Sequence, residues 1–306
     1  MKQFKVICVL SLASSVLLSS CGENETPIQN EEIPAVADSV VADEGNKPEE
    51  QSFDPNLSYE VPTPSDLFLA LQNIGSEGNF DFLSNPSNVS NYGDKKSKAL
   101  NFGVYFADLS YASSFNYGPE LVKYIKVVDN LSSELNIKSA LDKALTERLQ
   151  EHISNSELDS IVSISADTYY QAYDYLDQNK RGGTLRLIVA GGWIEGLYLL
   201  TNMVETYEAG SPIIEEIASQ QLTVESVMGF LNDFADEDAD VEEIMGELSD
   251  IEQLFMNLEY AEGTTESSVN DAGLTVLKGG DRPIISEEQF NELKSLVAEL
   301  RNSITG

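Results

Sequence analysis

Basic side chains are scarce in this chain. Its 306 residues contain 18 Lys and Arg against 52 Asp and Glu, and the formal net charge is −34 at pH 7. Binding to nucleic acid depends mainly on clustered Lys and Arg that contact phosphates, so this composition argues against a nucleic-acid partner. The same excess of carboxylates argues against electrostatic binding to an anionic lipid surface.

Cysteine and histidine are also rare. The chain has two cysteines, Cys8 and Cys21, and one histidine, His152. These are too few for a transition-metal site, and the absence of a Gly-x-Ser-x-Gly motif argues against a serine hydrolase. Glycine-rich phosphate loops are missing as well. We therefore predict no metal and no organic cofactor.

The first twenty residues form a separate segment. Lys2 and Lys5 precede an apolar run, residues 6–18, that is too short to span a bilayer comfortably. The run ends in Leu18-Ser19-Ser20-Cys21, which is an apolar residue, two small residues and a cysteine. This tetrapeptide resembles the lipobox of bacterial lipoproteins, which makes residues 1–20 a lipoprotein signal peptide. The alternative is an ordinary secretory signal or an uncleaved anchor, with Cys21 incidental.

The lipobox resemblance implies that Cys21 is the membrane anchor. It implies a diacylglycerol group on the Cys21 thiol, cleavage before Cys21 and acylation of the new amino group. Several acyl chains together keep a protein in the membrane, whereas a protein with a single chain would dissociate and rebind, because each buried methylene contributes about 0.8 kcal/mol. Cys8 is removed with the signal, so the mature chain has no other thiol. Gly22, rather than Asp, follows the cysteine, which in the enterobacterial sorting pattern implies the outer membrane. The sequence does not indicate whether the protein lies on the periplasmic face or on the cell-surface face of that membrane.

Residues 21–62 have the composition of a disordered tether behind the lipidated cysteine. From Gly22 to Pro62 the chain has eleven acidic residues, one basic residue, Lys47, and five prolines. Such a segment cannot bury enough apolar surface to offset its conformational entropy. We expect an extended, solvated tether that holds the remaining domain, residues 63–306, away from the membrane.

Residues 63–306 show helical periodicity almost throughout. Apolar residues recur three and four positions apart, and capping signals precede several of these runs. The pattern predicts an all-α fold of about nine helices, arranged as a multi-helix bundle or as an irregular helical array. Only residues 274–278, in a Gly-rich loop, have the pattern of a short strand. The predicted helical segments are 64–74, 95–115, 119–131, 141–153, 158–176, 185–204 after a break at Gly182 and Gly183, a short helix from Pro212, another capped by Thr223, 241–258 and 287–304.

Two of these helices are candidates for the centre of the fold. Residues 185–204 are apolar on every side, a pattern typical of a buried helix or a membrane span. We favour the buried helix because two charges and three glycines interrupt the run. Gly192 and Gly196 open one face to the backbone of a neighbour, and Gly103 and Ala107 do the same in the second predicted helix.

Each of these two helices carries one carboxylate in apolar surroundings, Asp108 and Glu195. Neither has a cation three or four residues away, so a buried carboxylate must find a partner elsewhere or take up a proton. One interpretation is a catalytic or cation-binding carboxylate pair. The other, which we favour, is that each pairs with a Lys, Arg or Tyr hydroxyl, for instance Arg186 or Lys123, and fixes the helix register.

A second acidic cluster resembles a calcium loop. Asp236, Asp238, Asp240 and Glu247 occupy positions 1, 3, 5 and 12 of the EF-hand template. The match fails at Val241, where the loop needs glycine for its sharp turn and where the next apolar stripe already begins. We therefore favour an acidic turn between two helices, with Asp240 as the N-cap.

Four tyrosines, Tyr169, Tyr170, Tyr173 and Tyr175, cluster in one predicted helix. They are either an aromatic platform for a sugar or a protein, or part of the core with hydroxyls that reach water. We favour the core.

The sequence thus predicts a lipid-anchored envelope protein of Gram-negative type that is a non-enzymatic binding or assembly component, with a possible protein partner in the envelope. The alternative is a hydrolase or cation-dependent enzyme that uses Asp108 and Glu195. A third possibility is a structural spacer without a ligand.

Overall fold

A computed structural model of the chain describes residues 64–115, 117–139, 158–264, 266–269 and 275–306. All of them belong to one compact unit, Asp54–Gly306. The predicted signal peptide, the predicted tether, the helical segment 141–153 and His152 lie outside the described residues.

The described residues form an all-α fold, as predicted. Two short 3₁₀ helices, Phe80–Phe82 and Pro86–Asn91, lie between the first two α-helices. The eight α-helices of the described part are α1 (Pro64–Asn73), α2 (Lys95–Ser114), α3 (Gly118–Glu134), α4 (Leu158–Gln178), α5 (Gly182–Asn202), α6 (Pro212–Ala235), α7 (Ala239–Met256) and α8 (Glu287–Thr305).

Capping side chains begin several of the described helices. Asp94 accepts a hydrogen bond from the Ser97 backbone N–H at 2.8 Å at the start of α2. Ser286 and Gln289 form the predicted capping box of α8, in which each side chain bonds the other residue's backbone. These caps satisfy N–H groups that the first helical turn leaves free.

Two predicted helix boundaries are wrong. Gly182 and Gly183 do not break the chain but are the first residues of α5. A Cβ at Gly183 would overlap the carboxylate of Asp238, so any larger residue there would displace the side chain that caps α7. Thr223 does not start a new helix, because Val224 and Val227 continue the buried stripe of α6 without interruption.

The region 259–284 contains more strand than the sequence indicates. Strand β3 (Thr275–Lys278) matches the predicted short strand and pairs antiparallel with β2 (Glu266–Val269). Outside this pair, β1 (Glu259–Ala261) pairs with β4 (Arg282–Ile284). The three additional strands have only three or four residues each, too few to show a convincing alternation.

Helices α2 and α5 form the centre of the fold, as predicted. Both are buried on nearly every side, and α1, α4 and α8 contact both of them. Their backbones approach closely at two glycines. A Cβ at Gly103 would overlap the carbonyl of Ile188, and one at Gly191 would overlap the carbonyl of Leu100. Gly196 instead faces α1, where Leu67 Cδ2 would be 3.4 Å from an added Cβ.

The apolar helix α5 is therefore a core helix of this fold. Among the residues that the structure describes, no helix combines the length and the apolar character needed to cross a membrane.

Candidate functional site

The structure brings the two predicted carboxylates together in one buried polar cluster. Asp108 comes from α2, Glu195 from α5, Arg301 from α8, and Ser84 from the loop between the 3₁₀ helices. Arg301 Nε donates to Glu195 Oε2 at 2.9 Å, and its Nη2 donates to Glu195 Oε1 at 3.2 Å. The same Nη2 also donates to Ser84 Oγ at 2.7 Å, and the Ser84 N–H donates to Asp108 Oδ2 at 3.2 Å. One arginine and one loop residue thus connect all three helices.

The cation of the cluster is not one of the two suggested by the sequence. Arg186 donates to the Phe230 carbonyl at 2.7 Å and lies over two rings, with its Cζ 4.3 Å from the Phe230 centroid and 4.7 Å from that of Phe234. Lys123 is exposed. Arg301 was not identified because it lies 106 residues from Glu195, and helical spacing reports only contacts within one helix.

Tyrosines of α2 and α3 hold the loop of Ser84. Tyr124 donates to the Ser84 carbonyl at 3.0 Å, and Tyr105 donates to the Asn85 carbonyl at 2.7 Å. The guanidinium of Arg301 also lies over the ring of Tyr198, 4.5 Å from its centroid. The cluster therefore holds the loop and the C-terminal helix against the central pair.

The two carboxyl groups differ in their protonation. Burial raises the pKa of Asp108 well above its ordinary value, and the neighbouring charge of Glu195 raises it further. Burial raises the pKa of Glu195 too, but the guanidinium of Arg301 acts in the opposite direction. The geometry also favours a lower pKa for Glu195 than for Asp108, because Glu195 accepts two hydrogen bonds from Arg301. A hydrogen bond between the two carboxyl groups acts in the same sense, since it raises the pKa of Asp108 and lowers that of Glu195, as expected when Asp108 is the donor. We assign the negative charge to Glu195 and the proton to Asp108.

This arrangement is suited to stabilisation rather than to turnover. The exposed fraction of both Asp108 and Glu195 is 0%. A general acid or base must come within hydrogen-bond reach of its substrate. In this structure the partners of both carboxylates are groups of the protein itself.

The protonation of Asp108 predicts how stability depends on pH. A carboxyl whose pKa is higher in the folded than in the unfolded state stabilises the fold fully below the unfolded pKa, about 3.9. This contribution is lost as pH rises through the folded pKa. Asn at position 108 stays neutral at every pH. As pH rises above about 4, we therefore expect the free energy of unfolding of Asp108→Asn to increase relative to that of the wild type, by at most about 1.4 kcal/mol per pH unit. Urea unfolding of both proteins between acidic and neutral pH measures this, and parallel curves would contradict the assigned proton.

The calcium-like residues lie at a helix junction. Asp236 is the first residue after α6, its C-cap, and Asp238, not Asp240 as predicted, is the N-cap of α7. Asp238 accepts from the Asp240 N–H at 3.1 Å and pairs with Lys95 at 3.6 Å, while Glu247 lies 3.8 Å from Lys96. Helix α7 begins at Ala239, which leaves no loop to wrap an ion. The described residues contain no group of three or more His, Cys, Asp or Glu able to hold a metal.

The tyrosine cluster of α4 belongs mainly to the core, as predicted. Tyr169 is buried against Phe106 with the ring centroids 5.4 Å apart, and Tyr173 stacks on Phe230 at 6.1 Å. Tyr170, by contrast, is 52% exposed. Tyr175 is half-buried and also packs against the core, so the four rings do not form one exposed platform.

A cavity that sequence reasoning did not identify lies between α1, α4, α5 and α6. Its volume is about 340 Å³, within the range of small-molecule sites. Most of the lining is apolar, and Gly192 and Gly196 contribute no side chain where α1 crosses α5. The polar residues of the lining include Glu216, Ser219 and Gln220. A second cavity of about 660 Å³ shares Glu216 and adjoins the first.

A comparison of the chain with family models, curated proteins and solved structures gave no match in any of the three.

Proposed function

We propose that this chain is a lipoprotein of a Gram-negative-type cell envelope, held in the outer membrane by acyl chains on Cys21, and that its helical domain is a non-enzymatic binding or assembly component. The lipobox Leu18-Ser19-Ser20-Cys21 supports the anchor. The sequestration of Asp108 and Glu195 by protein groups is the observation that carries the non-enzymatic part.

The cavity beside α1 supports a binding role. It is a preformed concave space, mostly apolar, with a few polar atoms, which is the common composition of a ligand site. The enzymatic alternative would need Asp108 and Glu195 in contact with a substrate, and both are fully buried. No observation favours it over binding.

The anchor predicts opposite results for the two cysteines. Cys21→Ser is expected to abolish incorporation of radiolabelled palmitate and to release the protein from the membrane fraction, because the thiol that carries diacylglycerol is gone. Cys8→Ser is the matched control, and we expect it to keep both the label and the membrane association. Label retained by Cys21→Ser would contradict the proposed anchor. Protease treatment of intact cells then distinguishes the surface face, which is cleaved, from the periplasmic face.

A further inference from the structure

Two residues that line the 340 Å³ cavity, Glu216 and Trp193, have incompletely satisfied polar groups within the described part of the protein. Glu216 is half-buried, and the groups that hydrogen-bond its carboxylate are neutral: Gln220 Nε2 donates to Glu216 Oε1 at 3.3 Å, and the Ser219 side chain also donates to it. No described cation forms an ion pair with it, whereas its neighbour Glu215 is paired with Arg282 at 2.9 Å. Trp193 is 8% exposed, and its indole N–H has no acceptor.

These groups define the chemistry of a complementary ligand. A carboxylate surrounded by apolar surface is stabilised by an opposite charge that loses its water along with it. The rings of Trp193 and Tyr169 also line the cavity, and aromatic faces attract cations. Burial raises the pKa of Glu216, and the hydrogen bonds from Gln220 and Ser219 act in the opposite direction. An anionic ligand would place a second negative charge beside it.

We propose that this cavity binds an organic cation, an amine with an apolar body, whose ammonium group pairs with Glu216 and whose apolar body lies against Trp193 and the α1 side of the cavity. This inference rests on the proposed binding function and names the ligand class. The adjoining cavity of about 660 Å³ leaves room for a longer apolar body.

The single tryptophan makes the test direct. Trp193 is the only tryptophan of the chain, so a change in tryptophan emission reports on this cavity. We would titrate the full chain with octylammonium, using octanol and octanoate as neutral and anionic probes of the same length. We expect a saturable change in emission with octylammonium, and affinities for octanol and octanoate at least about tenfold lower, since a hydrogen-bonded charge contributes about 1.5–3 kcal/mol.

Two variants separate the role of Glu216 from general effects on α6. Glu216→Gln is expected to weaken octylammonium binding about tenfold or more while leaving octanol binding unchanged. Glu225→Gln, on the same helix but exposed and outside both cavities, is the matched control and is expected to bind octylammonium as the wild type does. Thermal unfolding of both variants checks that they are folded.

Equal binding of all three probes would overturn the cation preference and leave the proposed binding function standing. Stronger binding of octanoate would do the same. Absence of any saturable change would overturn the cavity as a ligand site, whereas loss of the proposed anchor is measured separately by palmitate labelling. Emission that depends on protein concentration without any probe would assign the cavity to a second copy of the chain, and would also overturn the inference.

Discussion

Arg301→Met is expected to lower the free energy of unfolding by about 3–5 kcal/mol, because it leaves Glu195 as a buried charge without a counter-ion. Glu195 is fully buried and receives two hydrogen bonds from Arg301, and Ser84 loses a hydrogen bond in the same change. Urea unfolding followed by Trp193 emission measures the loss. The loss should be smaller at acidic pH, where Glu195 can take up a proton and avoid the buried charge.

A surface arginine supplies the control for this prediction. Arg282 also contacts a glutamate at 2.9 Å, but its side chain is 63% exposed and that of Glu215 is 48% exposed. Exposed ion pairs of this kind contribute about 0–1 kcal/mol, so Arg282→Met is expected to change stability little. Equal losses in the two variants would contradict the special role of the buried pair.

Removal of both charges distinguishes the energy of the ion pair from the cost of one unpaired charge. We expect Arg301→Met combined with Glu195→Met to recover a large part of the stability lost in Arg301→Met alone, since apolar replacement of a buried pair is often close to neutral. Glu195→Gln alone should destabilise, because it leaves Arg301 without its counter-ion. A double variant as unstable as the single one would show that packing, and not charge, dominates.

The central part of this cluster could be predicted from the sequence. Asp108 and Glu195 each lie in a helix that is apolar on every side, so burial of both follows from the pattern. Their proximity follows from glycines that let these two helices pack closely. Arg301 could not be found in this way, because α8 has an ordinary amphipathic pattern and nothing in its spacing indicates which helix it contacts.

The errors at helix boundaries have a similar cause. Thr223 resembles an N-cap locally, but the buried stripe of α6 runs through it, and tertiary packing overrides a local capping signal. Gly182 and Gly183 resemble a break, but the first turn of a helix tolerates glycine, and Asp238 needs the space beside Gly183. The cavity of Trp193 and Glu216 depends on the packing of four helices, which no local pattern specifies.

Gly103→Ala is expected to lower the free energy of unfolding by about 3 kcal/mol. This is the upper end of the range for an overpacked core, because the new Cβ would meet rigid backbone. The new Cβ would overlap the carbonyl of Ile188 and lie 2.6 Å from the backbone nitrogen of Gly192. Both atoms belong to the backbone of α5 and cannot rotate away. The two central helices would have to separate, which loses contacts along their whole length.

The control for Gly103→Ala is a helical glycine without a close neighbour. An added Cβ at Gly246 in α7 meets nothing within 4 Å. Gly246→Ala is therefore expected to stabilise the protein by about 0.5–1 kcal/mol through helix propensity alone. Thermal or urea unfolding compares the two. A loss in Gly246→Ala similar to that in Gly103→Ala would show that helix contacts are not the cause.

A double variant tests whether close approach of the two helices is one shared constraint. Gly191→Ala alone should destabilise for the same reason as Gly103→Ala, since its Cβ would overlap the carbonyl of Leu100. Once one alanine has separated the helices, the second needs little further separation. The double variant should therefore lose less free energy of unfolding than the sum of the two single losses. Independent sites add to within about 0.3–0.5 kcal/mol, and we expect a larger difference than this. Additive losses would mean that each glycine accommodates its neighbour locally, and that α2 and α5 do not move as rigid helices.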